Sequence, residues 1–226
     1  MSEPNMPDMK GREMQSIVER ITSLGVVPVI ELGSVEQAAP LLEALCAGGL
    51  PSAEITLRTP AGIEAIPLLR RSHPDALIGA GTVRTAEDAR RAIDRGAQFV
   101  VSPGTDLEVI AVCRAEGVPV LPGACTPTEI GTAVKAGAAL VKFFPAGVLG
   151  GVNFLKAIAG PFREVRFVPT GGVSPDNLAE YLELPAVAAC GGTWLAKPAM
   201  LADGRYDQIE KLASEAMAIV REARHG

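Results

Sequence analysis

Short apolar runs alternate with helical segments along almost the whole chain, and that alternation leaves few folds open. The runs lie near 26–32, 53–58, 76–83, 98–103, 118–125, 140–145, 165–170 and 187–195. Each is followed by apolar residues at helical spacing. The first such helix carries Val35, Ala38, Leu42 and Leu45 on one face, and the last carries Ile209, Leu212, Ala216, Ile219 and Val220. Ser34-Val35-Glu36-Gln37 and Thr126-Pro127-Thr128-Glu129 read as capping boxes, and Thr59-Pro60 and Ser174-Pro175 as cap-then-proline starts. Gly48, Gly96, Gly117 and Gly137 mark helix ends.

Strands that alternate with helices imply a parallel sheet. Eight such units imply an α/β fold of the closed (β/α)8 TIM-barrel type. Ahead of the first strand, Met14, Ile17, Val18 and Ile21 predict an extra N-terminal helix within 12–24. Residues 1–10 read as a flexible tail, which leaves 11–226 as one barrel domain. The competing architecture, an open doubly wound sheet, needs a Gly-x-Gly-x-x-Gly turn after the first strand. Glu31-Leu32-Gly33-Ser34 is not one.

Composition excludes several function classes. A net charge of −5, with no basic run, argues against a nucleic-acid partner. No apolar stretch reaches membrane-spanning length, so no membrane partner is expected. The polar, acid-bearing start lacks the basic-then-apolar order of a signal peptide, and a cytoplasmic protein is expected. Four scattered cysteines, Cys46, Cys113, Cys125 and Cys190, read as reduced core residues. Two histidines, His73 and the terminal His225, are too few for a histidine-rich metal site.

A barrel places its chemistry at the C-terminal strand ends. In Leu140-Val141-Lys142-Phe143-Phe144-Pro145, strand alternation puts Leu140, Lys142 and Phe144 on one face and Val141 and Phe143 on the other. A buried lysine without a partner tends to lose its charge, and a neutral amine can attack a ketone to form a Schiff base. A lysine that snorkels to water from a strand end is the competing reading. In Ala53-Glu54-Ile55-Thr56-Leu57-Arg58, the polar residues Glu54, Thr56 and Arg58 share a face that would look into the barrel. They form part of a site or a structural Glu–Arg pair. Gly171-Gly172 and Gly191-Gly192 end the seventh and eighth runs, where such barrels commonly bind phosphate through backbone N–H groups. Lysine, carboxylate, arginine and phosphate loops together suit a keto acid with a distal phosphate.

At these residues the chain resembles the 2-keto-3-deoxy-6-phosphogluconate aldolases, which also cleave 4-hydroxy-2-oxoglutarate. The likeness runs from about Ile17 to the end. It is carried by Val27-Pro28-Val29-Ile30, the segment 54–59, Gly79-Ala80-Gly81-Thr82-Val83, Ser102-Pro103-Gly104, Lys142-Phe143-Phe144-Pro145-Ala146, Pro169-Thr170-Gly171-Gly172 and Gly191-Gly192-Thr193-Trp194. The resemblance implies a class I aldolase of the Entner–Doudoroff pathway: a TIM barrel, usually a homotrimer, that needs no metal or other cofactor. It implies Lys142 as the Schiff-base lysine and Glu54 as the general acid/base. Arg58 and Thr82 would hold the pyruvoyl carboxylate, with Pro103 and Phe144 lining that pocket. Thr170, Gly171, Gly172, Gly191, Gly192 and Thr193 would form the phosphate side. Thr170 matches the position thought to favour the gluconate over the galactonate epimer, and Thr193 stands where the family usually has serine. Two other functions compete. A phosphosugar isomerase or epimerase on the same barrel would not need a neutral lysine, and a non-catalytic sugar-phosphate binder would tolerate loss of both Lys142 and Glu54.

Overall fold

The computed structural model describes residues 6–225, with side chains from 10 to 224. The elements in order are α1 (Met6–Leu24), β1 (Val26–Ile30), α2 (Ala38–Ala47), β2 (Ser52–Thr56), α3 (Pro60–Ser72), β3 (Leu77–Gly81), α4 (Ala86–Asp94), β4 (Phe99–Val101), α5 (Leu107–Glu116), β5 (Val120–Leu121), β6 (Gly123–Ala124), α6 (Pro127–Lys135), β7 (Val141–Phe143), α7 (Gly151–Ala159), β8 (Phe167–Pro169), α8 (Pro175–Leu182), β9 (Cys190–Gly192), α9 (Pro198–Ala202) and α10 (Tyr206–His225). The helix expected over 12–24 thus begins at Met6, within the segment expected as a tail, and residues 1–5 of that segment lie outside the described residues.

Every strand pairing is parallel. One sheet has the order β5-β4-β3-β2-β1-β9 and a second the order β6-β7-β8. The break between them is chemical. Pro122 has no N–H to donate, so the fifth run is two short strands instead of one. β5 pairs with β4 on one side, and β6 pairs with β7 on the other. The Pro122 carbonyl still accepts from the Lys142 N–H at 2.9 Å. Isolated parallel bridges join Phe167 to Val187 and Thr170 to Gly191, between the end of one sheet and the end of the other. The result is an α/β fold with a curled, half-barrel parallel sheet.

Curling divides the core in two. Val27, Leu77, Phe99, Val101, Leu121, Leu140 and Val168 gather on the concave side, with Ile17 and Ile21 of α1 packed onto them. Ile30, Ile55, Ile78, Val100, Val141, Phe143 and Phe167 face the other way, against helix residues such as Leu42, Ile66, Leu155 and Ile209. Period-two alternation along each strand therefore sorts residues between an inner and an outer layer. Phe99 is fully buried in the inner layer. Truncating such a phenylalanine to alanine typically costs about 3–5 kcal/mol.

The capping signals act as expected at Thr126. Its N–H donates to Glu129 Oε2 at 2.9 Å, and its Oγ1 accepts from the Glu129 N–H at 3.3 Å. The Cys125 N–H, the Thr126 hydroxyl and the Thr126 N–H hold the Glu129 carboxyl below the usual carboxylate range. At Ser34 the same motif opens a 3-10 turn, Val35–Gln37, ahead of α2. All four cysteines are free, Cys113 and Cys190 buried, Cys46 and Cys125 half-buried. Burial pushes the Cys113 thiol up to about 12.

The apolar runs are longer than the strands they contain, as two of them show. Strand β9 is confined to Cys190–Gly192, and β2 stops at Thr56. Apolar composition counts buried side chains, whereas a ladder needs a neighbour's backbone, and neighbours end at the loops.

Candidate active site

Lys142 is the middle residue of β7, and its side chain is 8% exposed. Its inward direction follows from alternation. Phe143 faces outward and stacks on Phe154 of α7 at 5.5 Å, while Leu140 lies in the inner layer. Phe144 follows on the lysine's side, and Nζ lies 5.3 Å from its ring centre.

Glu54 projects from β2 onto the same concave face and is 3% exposed. Its Oε1 lies 3.6 Å from Lys142 Nζ. That is an ion pair but longer than a hydrogen bond. Oε1 is buried with no hydrogen-bond donor. An under-satisfied buried carboxylate costs stability and is characteristic of a functional site.

Glycine makes the room for this carboxylate. In the ladder Glu54 is level with Gly79 and Thr56 with Gly81. A Cβ on Gly81 would lie 2.2 Å from Glu54 Oε1, and one on Gly79 would lie 2.4 Å from the Phe99 ring. Thr82, the next residue, has φ +57°. A β-branched residue in the left-handed region is an outlier, costing roughly 1–3 kcal/mol. No residue type in the motif announces that strain.

The other residues expected at the site lie on neighbouring strands and the loops that follow them. Gly123, level with Lys142, has no Cβ, and one built there would meet the Pro103 carbonyl at 2.1 Å. The Pro103 backbone therefore lies against the strand next to the lysine. Gly171 approaches the Phe144 ring: a Cβ on it would be 3.2 Å from Cε2. Thr170 is buried beside Gly191, whose Cβ would meet Thr170 Oγ1 at 2.2 Å. Gly192 is buried and level with Pro28, and Thr193 is exposed at the rim. A groove of about 1020 Å³, lined by Gly147, Gly172, Asn177 and Tyr181, opens beside the Gly172 loop and not at the Lys142–Glu54 pair.

Arg58 departs from expectation. It lies in the turn after β2, not on the strand, and its side chain is half exposed at 50%. Its partner is Glu31 at the end of β1, with Nη1–Oε2 at 3.2 Å. The structural Glu–Arg pair inside the barrel is not formed. Glu54 pairs with lysine, and Arg58 with a glutamate that the sequence did not single out. Strand alternation stops with the strand, so spacing alone could not place a residue two positions beyond its end.

A parallel α/β sheet thus sets a buried lysine against a carboxylate, each the middle residue of its strand. The family model for KDPG and KHG aldolase matches residues 17–212. The chain belongs to this family. It is 46% identical over 207 residues to the 2-dehydro-3-deoxy-phosphogluconate aldolase of Treponema pallidum, covering 92% of this chain and 99% of that protein. It is 42% identical to the KHG/KDPG aldolase of Escherichia coli K12, covering 91% and 97%. It superposes with a TM-score of 0.85, at 39% identity and with 88% and 97% covered, on the KDPG aldolase of Legionella pneumophila, whose crystal structure captured pyruvate at low pH as a covalent carbinolamine intermediate.

Proposed function

We propose that the chain is a class I aldolase that cleaves 2-keto-3-deoxy-6-phosphogluconate to pyruvate and glyceraldehyde 3-phosphate, and 4-hydroxy-2-oxoglutarate to pyruvate and glyoxylate. The observation that carries this reading is the buried Lys142–Glu54 pair at 3.6 Å. Family membership and the carbinolamine in the Legionella relative support it.

In the proposed reaction, Glu54, within reach of Nζ, takes a proton from the Lys142 ammonium, and the neutral amine that results attacks the C2 carbonyl. Glu54 passes that proton to the carbonyl oxygen, takes a second from the nitrogen, and gives it to the carbinolamine hydroxyl, which leaves as water. In the iminium, Glu54 accepts the proton of the C4 hydroxyl as the C3–C4 bond breaks. The bonding electrons pass into the C2–C3 enamine, and the aldehyde departs. Protonation of C3 and addition of water to the iminium release pyruvate and free Lys142.

Thr82, Arg58, Pro103 and Phe144 serve the pyruvoyl end in this reading. The strained φ of Thr82 supports its role. Among the described residues Arg58 makes one bond, from Nη1 to Glu31, and the guanidinium edge that this leaves over supports its role. Thr170, Gly171, Gly172, Gly191, Gly192 and Thr193 serve the phosphate end. The two short sheets are read as one closed (β/α)8 barrel, with α1 across its floor as the extra helix. The isolated bridges at Phe167 and Thr170, and the packing of Ile17 and Ile21 on the inner layer, support that closure. A homotrimer in the cytoplasm completes the reading. Among the described residues no helix is long and apolar enough to cross a membrane.

The test is pyruvate release from each substrate, followed continuously. Turnover of both is expected, with the phosphorylated acid favoured in kcat/KM on the order of a hundredfold if two charge-assisted bonds to phosphate are its advantage. No pyruvate from either substrate would overturn the reading.

A further inference from the structure

The loop after β8 is tied down carbonyl by carbonyl. The Thr170 carbonyl accepts from the Ala146 N–H at 2.9 Å, and the Gly171 carbonyl from the Gly147 N–H at 2.8 Å. Among the described residues no backbone donor reaches the third carbonyl, that of Gly172. A side chain does: Asn177 Nδ2 donates to it at 2.9 Å. Asn177 Oδ1 meanwhile accepts from the Ser174 N–H at 2.9 Å. The two partners fix the orientation of the amide, because one neighbour is a pure acceptor and the other a pure donor.

This arrangement determines what the loop can offer a ligand. Gly171 and Gly172 have φ values of +83° and +88°. With three successive carbonyls engaged and the Gly171 N–H turned toward the Gly191 carbonyl by the Thr170–Gly191 bridge, the N–H groups of Gly172 and Val173 donate to no protein acceptor among the described residues. Successive free N–H groups in such a turn make an anion-binding concavity. Gly172 is held against Gly147, since a Cβ on it would lie 2.8 Å from Gly147 Cα. Two of the three anchors come from the backbone of the loop after β7, the strand that carries Lys142. The third is the Asn177 side chain alone.

We infer that Asn177 is a positioning residue for phosphate recognition: it holds the Gly172 carbonyl away from the mouth, and so sets the direction of the N–H groups that meet the phosphate. The inference rests on the proposed placement of phosphate at these loops. Asn177 touches no reacting atom, so its contribution belongs to KM for the phosphorylated substrate and not to the chemical step.

The experiment compares Asn177→Ala and Asn177→Asp with the wild-type enzyme on 2-keto-3-deoxy-6-phosphogluconate and on 4-hydroxy-2-oxoglutarate. Inorganic phosphate serves as a competitive inhibitor of the second reaction. The aspartate keeps the acceptor for the Ser174 N–H but lacks the donor to the Gly172 carbonyl, so it decides the matter should the alanine variant fail to fold. Both variants are expected to raise KM for the phosphorylated substrate, and Ki for phosphate, about tenfold, with kcat within threefold. The loss in kcat/KM on hydroxy-oxoglutarate is expected to be several-fold smaller. Unchanged KM and Ki in both variants, in an enzyme that still prefers the phosphorylated substrate, would overturn the role of Asn177 and leave the phosphate site standing. Equal losses on both substrates would show a merely structural side chain and also overturn it. A wild-type enzyme with no preference and no inhibition by phosphate would overturn the phosphate site itself, and this inference with it.

Discussion

Lys142 Nζ and Glu54 Oε1 lie 3.6 Å apart although their strands, β7 and β2, belong to different sheets and are not hydrogen-bonded to each other. Only curvature of the sheet brings them together. Both side chains are almost wholly buried, at 8% and 4% exposure. In the proposed reaction, proton exchange between them is thus shielded from bulk water, where a stray proton would compete with Glu54.

Glu54→Gln removes the proposed proton carrier while nearly preserving shape. The fold should be retained, as read by circular dichroism. Loss of general acid–base catalysis typically costs about 10²–10⁴-fold, and kcat should fall by that order. A kcat within a few-fold of wild type would assign the proton transfers to another group.

Gly81→Ala tests the same carboxylate without changing its chemistry. A Cβ there would lie 2.2 Å from Oε1, and the strand backbone at Gly81 is otherwise open to alanine. Glu54 must shift. A misplacement of about 1 Å can cost on the order of 10²-fold in rate. Overpacking should also lower stability by about 1–3 kcal/mol, read from chemical denaturation. A variant with wild-type kcat would mean that the position of Glu54 is not critical.

Chelation should leave turnover intact. In the proposed reaction an iminium on Lys142 withdraws the electrons released when the C3–C4 bond breaks, so that reaction needs no Lewis acid. Pyruvate release after dialysis against EDTA should match the untreated enzyme. Loss of activity with rescue by a divalent cation would contradict the imine mechanism.

The two residues of the central pair were legible because each is a charge set within an apolar strand, where alternation gives its direction. The parallel sheet was legible from the repeated strand–helix rhythm. Pro122 carried the signal for the division of the fifth run, since a proline inside a strand removes a ladder donor. Arg58 was misplaced because alternation was extended past the last ladder residue, Thr56. Its partner Glu31 stands in an otherwise apolar run, but nothing in spacing relates strand one to a turn after strand two. The left-handed φ of Thr82 has no residue signature. Asn177 had one available: it is the third residue after the Ser174 cap, where a side chain commonly reaches back to the cap N–H. Its second bond, to Gly172, depends on how the loop folds back.

The most direct measurement is reductive trapping. The protein is incubated with pyruvate and sodium borohydride, digested, and mapped by mass spectrometry. A reduced imine is expected on Lys142 alone, with activity lost in proportion to the label. An adduct on Lys135 or Lys156 in its place, or none on Lys142 in an enzyme that still releases pyruvate, would contradict the assignment of Lys142 as the nucleophile.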